Sequence, residues 1–88
     1  MVNLVEEIQE HNVNAYFYDG YEDALMGICE QFGRPPVAAY DFEKCIDILI
    51  ETDGMSREEA LEFFALNTLR TGLGENTPVF IYLAQARE

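Results

Sequence analysis

Basic residues are scarce in this chain: five Lys and Arg stand against 17 Asp and Glu, a formal net charge of −12. That imbalance argues against direct binding to nucleic acid, whose phosphates repel it, and against anionic membranes. Histidine is scarcer still. His11 is the only one and is expected on the surface at the end of the first helix. With no C-x-x-C pair, the usual zinc ligand set is missing. The cysteines, Cys29 and Cys45, read as buried thiols on two helices of a protein in a reducing compartment. A disulfide between them would need their Cα atoms within about 7 Å. Long apolar runs are lacking too, since nothing approaches the roughly 20 residues of a membrane span. The opening MVNLVEEIQE is acidic and amphipathic, unlike a signal peptide, so a cytoplasmic location is expected. There is no internal repeat, low-complexity segment or linker.

Catalytic signatures are missing as well. The adjacent acids Glu6/Glu7, Glu22/Asp23 and Glu58/Glu59 point in different directions and suit helix N-termini. A catalytic carboxylate would need a cleft and a shifted pKa. The loop Thr71 to Pro78 contains G-x-G, but no Lys-Ser/Thr follows and no helix opens after it, so it is no phosphate loop. No enzyme activity, metal or cofactor is expected.

What is present is a core. Hydrophobic residues make up 49% and aromatics 12% of 88 residues, enough for one domain over 1–88 that buries about 60–65% of its unfolded surface. The clearest local signals lie between Tyr40 and Leu83. Asp41 caps a helix carrying Phe42, Cys45, Ile46 and Leu49 on one face. Asp53-Gly54 ends that helix. Ser56 and Glu59 form a capping box that opens the next, with Met55 as a staple on Ala60. Apolar residues nearly encircle this second helix from Phe63 onward, predicting a central helix that ends at Gly72. Asn67 among them reads as a buried amide bonded to nearby backbone. After Pro78, Val79 to Leu83 is a strand covered on both faces.

Upstream, Asn3 to His11 reads as a short amphipathic helix and Val13 to Tyr18 as an aromatic strand. Asp19 and Glu22 suggest another capping box. It would open a helix with Tyr21, Leu25, Ile28 and Phe32 as its buried stripe and Gly33 at its end. Gly27 in mid-helix would mark close approach of another element. Val37 to Tyr40 is a short strand. The expected order is α-β-α-β-α-α-β: an α+β or α/β domain with a small three-stranded sheet packed by about four helices. Its β-α-β part would be a right-handed parallel crossover. An exposed edge on so small a sheet would make formation of a homodimer easy.

The strings DGYEDALMGI, YDFEKCIDIL, DGMSREEALEFFALN and GENTPVF resemble a group of small phage and prophage proteins, over about residues 19–80. The resemblance implies a viral or mobile-element setting inside a bacterial or archaeal cell; it carries over no functional residues. The leading expectation is a small acidic inhibitor or adaptor acting by protein–protein contact. Its sharpest form is an anti-CRISPR-like DNA mimic that blocks the basic nucleic-acid channel of a host nuclease or CRISPR effector. Glu6, Glu7, Glu10, Glu58, Glu59 and Glu62 are the candidate contacts. One alternative is a small-molecule binder, such as a nucleotide sponge, using Asp19-Gly20 and Glu75-Asn76-Thr77. Another is a structural or assembly protein whose acidity is only solvation.

Overall fold

Gly33 takes a φ of +76°, a left-handed conformation open to a residue without Cβ. With Phe32 it turns the chain back on itself. In the computed structural model, which describes residues 3–69 and 74–83, residues 25–41 therefore form a β-hairpin. Strand β1 (Leu25–Gln31) pairs antiparallel with β2 (Arg34–Asp41). This corrects the helix expected over residues 21–32, and the reason is visible in the ladder. The register shifts between Leu25 and Gly27, so strict alternation breaks. Leu25 and Ile28, three positions apart, both pack against the core. A bulged strand thus reproduces the spacing of a helical stripe.

Gly27 sits opposite Ala39 in the ladder, and a Cβ there would meet nothing within 4 Å among the described residues, so no close approach by them explains it. The expected cap at Asp19 is replaced by a smaller device, in which the Glu22 carboxylate accepts the Gly20 N–H at 3.1 Å. Pro35 and Pro36 lie at a second register shift, ahead of the residues that pair with the third strand. Their missing N–H groups leave no gap in that ladder.

The helices on either side form as their caps dictate. Helix α1 (Leu4–His11) begins at Asn3, whose side chain accepts from the N–H groups of Val5 and Glu6, and exposes His11 at its end. Helix α2 (Phe42–Asp53) begins at Asp41, buries Phe42, Cys45, Ile46 and Leu49, and stops at Gly54 with φ 69°. Helix α3 (Arg57–Phe64) carries both halves of the Ser56–Glu59 box, at 3.1 and 2.9 Å. It runs on as a π-helical segment, Ala65–Leu69; the end expected at Gly72 lies outside the described residues. Strand β3 (Val79–Ile81) then pairs parallel with β2, giving the order β1-β2-β3.

The protein is a single α+β domain with three α-helices around a three-stranded mixed sheet, β2 at its centre. As expected, the last strand returns after two helices to join the sheet. It is shorter than expected and lies at an edge; Tyr82 and Leu83 beyond it are exposed. Residues 13–18 form a turn and extended coil instead of a strand. Asn12 accepts the Asn14 N–H at 3.0 Å and closes a local turn, a competing arrangement that asparagine favours. The parallel crossover therefore joins β2 to β3 through α2 and α3.

An aromatic cluster binds these pieces. Tyr18 and Tyr40 both stack on Phe80, with ring centroids 5.6 and 5.7 Å away. The Tyr40 hydroxyl accepts the Tyr18 N–H at 3.0 Å, whereas the buried Tyr18 hydroxyl has no partner among the described residues. The two phenols therefore differ in sign. Tyr40→Phe strands a backbone N–H and lowers stability by about 1–3 kcal/mol, while Tyr18→Phe removes an unsatisfied hydroxyl and leaves stability equal or higher. Paired urea titrations of the two variants check this; a loss in Tyr18→Phe as large as in Tyr40→Phe would refute it.

Candidate functional site

The Ala60–Phe64–Thr68 stripe faces the core and is buried. Phe63 and Leu66 fall outside it, 38% and 53% exposed, so α3 is not the encircled central helix its sequence suggests. Both open onto a groove of about 400 Å³ between the end of α2 and α3, lined also by Asp53, Met55, Glu59, Glu62 and Asn67. The π-helical segment contributes Leu66 and Asn67, and π turns are frequent at functional sites. Asn67 is exposed rather than buried, but its amide does bond to backbone, donating to the Phe63 carbonyl at 3.0 Å.

A second hollow of about 230 Å³ shares Asp53 and Phe63 with the first and adds Asp19, Tyr21, Leu49 and Thr52. The ionisable side chains of the two hollows are Asp19, Asp53, Glu59, Glu62 and the phenol of Tyr21. None is cationic. Asp53 stands in the last turn of α2, which has no basic residue. A helix C-terminus favours cations, so this carboxylate adds to the negative end of the helix dipole instead of offsetting it.

The six expected contact carboxylates fall into two groups. Glu6, Glu7 and Glu10 lie on α1, which packs on β1 and β2, with Glu7 half-buried. Glu58, Glu59 and Glu62 lie on α3, which packs on α2. Only Glu59 and Glu62 line the main groove, and Glu59 is partly committed to its capping box. Sequence reading missed Asp53, Phe63 and Leu66, which looked like a helix end and core. The only hint was a surplus of apolar residues for a short helix.

The alternative ligand loops have different neighbours. Asp19 borders the second hollow. Asn76 accepts from the Asn12 side chain at 3.0 Å and from the Tyr16 N–H at 3.3 Å. The Thr77 hydroxyl donates to the Gly74 carbonyl at 2.7 Å, and Glu75 is exposed.

Neutralisation of the acids is slight. Among the described residues a single ion pair occurs, Arg57 with Glu43, bidentate at 3.0 and 2.9 Å. The Arg57 hydrogen bond holds the Glu43 carboxyl below its ordinary range. Burial, aided by the Asp41 charge, pushes the Cys45 thiol up to about 12, so it is no nucleophile at neutral pH. Both cysteines are free; Cys29 is half-buried on a strand rather than on a helix. Among the described residues no group of three or more His, Cys, Asp or Glu is placed to hold a metal ion, and no helix is long and apolar enough to cross a membrane. Compared with protein-family models, curated proteins and solved structures, the chain matches none.

Proposed function

We propose that this chain is a small acidic inhibitor or adaptor that works by protein–protein contact in the cytoplasm of a host cell. Its target is a protein with a basic surface, and the phage-like sequence pattern makes a host nuclease or CRISPR effector the foremost candidate. In that role the carboxylates act as a DNA mimic and occupy a channel built for phosphates. One observation carries the reading. A net charge of −12 is left almost unpaired among the described residues, with Glu59 and Glu62 exposed beside two exposed apolar side chains, Phe63 and Leu66. Acidic surfaces of this kind steer association with basic partners and reject phosphates and second acidic copies.

The test is capture from host lysate at low and high salt, followed by titration of the purified target. The double variant Glu58→Lys, Glu62→Lys is expected to lose binding by at least about 100-fold while its circular dichroism is unchanged, since both side chains are solvent-facing. Raising ionic strength from about 0.01 to 1 M shrinks the screening length from roughly 30 to 3 Å and should weaken the complex steeply. The same salt should raise the melting temperature of the free protein by relieving self-repulsion. Unchanged affinity in the double variant would remove the proposal.

A further inference from the structure

We infer that the groove between α2 and α3 seats an amphipathic helix of the partner, apolar on the face it presents and Lys/Arg-rich along its flanks; this deepens the charge-driven contact proposed above. Two kinds of observation converge. The floor is apolar: Phe63 and Leu66 stand exposed beside the covered Ala60–Phe64–Thr68 stripe, and aromatic side chains are typical interface anchors. Every charged side chain lining it is acidic, with Asp53, Glu59 and Glu62 on the groove and Asp19 on the hollow beside it, the amide of Asn67 being the neutral polar group.

Asp53 strengthens the case. Its charge opposes the dipole of its own helix, and no basic side chain in that last turn relieves it. A cation arriving from outside would. The negative charge of these carboxylates disfavours a second copy of this acidic chain, a nucleic-acid strand and an anionic lipid surface. The shape also favours a helix. Glu59, Glu62, Phe63 and Leu66 recur at helical spacing and make a ridge alongside the end of α2, the arrangement into which a third helix packs.

The experiment uses the full chain and three fluorescent peptides of about 18 residues, long enough to form a helix on binding. The first is an amphipathic Lys/Leu helix, the second a scramble of the same composition, the third the first with Glu for Lys. The amphipathic basic peptide is expected to bind at least about tenfold tighter than the scramble, with the acidic one not binding. Amide shifts should map to Phe63, Leu66 and Asn67.

Leu66→Asp should abolish the advantage over the scramble. Asp53→Lys should weaken binding while raising the melting temperature of the free protein, a pairing that a merely structural residue would not produce. Equal, salt-sensitive binding of both basic peptides would overturn the helix-seating groove and leave charge-driven contact standing. Failure of both basic peptides to bind would overturn both. Equal binding of the acidic peptide, or dimerisation of the free chain through this face, would overturn the groove assignment as well.

Discussion

Phe64→Ala should remove a large share of this chain's folding stability. The Phe64 ring is fully buried and meets three others nearly edge-on: Phe80 of β3 at 4.9 Å, Phe42 of α2 at 5.4 Å and Tyr21 at 5.7 Å. One side chain thus joins α3 to the sheet, to α2 and to the segment before β1. Truncating a buried Phe to Ala costs roughly 3–5 kcal/mol, through lost transfer energy and the cavity left behind. A domain of this size has only about 4–13 kcal/mol to lose. Its neighbour provides the control. Phe63→Ala removes a partly exposed ring and should cost about 1 kcal/mol or less. Urea unfolding followed by far-ultraviolet circular dichroism separates them, and near-equal midpoints would show that the aromatic junction is misassigned.

Alkaline pH should unfold the protein. Burial holds the Cys45 thiol up to about 12 against an ordinary 9.0. Burial also raises the Tyr21 phenol, against an opposing hydrogen bond from Thr68, and the Tyr40 phenol, against the Tyr18 N–H. The unfolded chain releases these protons at ordinary values while the folded chain keeps them. Above about pH 9 the unfolded state therefore binds fewer protons, and stability falls by up to roughly 1.4 kcal/mol per pH unit for each group that has ionised only there. The thiol acts first and the phenols join from about pH 10. Cys45→Ala, though less stable at pH 7 for its lost packing, should show a shallower alkaline slope, read from urea midpoints at several pH values. A slope identical to that of the parent chain would refute the assignment.

The acid side runs the other way. The contribution of the Arg57–Glu43 pair is present above the ordinary Glu range and is lost as pH falls through the lowered value of Glu43. Both side chains are well exposed, so that limb is shallow.

The α2–α3 hairpin was legible because its signals are local. Asp41 and the Ser56–Glu59 box each bond within a turn of themselves and Gly54 needs only its own left-handed φ, so no distant partner has to be known. The closing strand and its return to the sheet followed from one apolar run after Pro78. The β1 segment was not legible, because a bulge gave Leu25 and Ile28 the spacing of a helical stripe and Gly33 serves a hairpin as well as a helix end. Residues 13–18 misled for a related reason. Aromatic and β-branched side chains suit a strand, but Asn12 bends the backbone first, and the Tyr18 ring finds Phe80 without a ladder.

Composition and short-range capping thus settled a mixed helix-and-strand domain, the single core, the helix starts after Asp41 and Ser56, and the sign of the surface charge, because each depends on residue type or near neighbours along the chain. Which apolar side chains stay uncovered, and which acids surround them, depended on how α3 lies on α2. Phe63 and Phe64 are adjacent and chemically identical, yet one anchors the core and the other opens onto the groove. Only packing between distant segments distinguishes them, since burial belongs to the surfaces that meet and not to the residue alone.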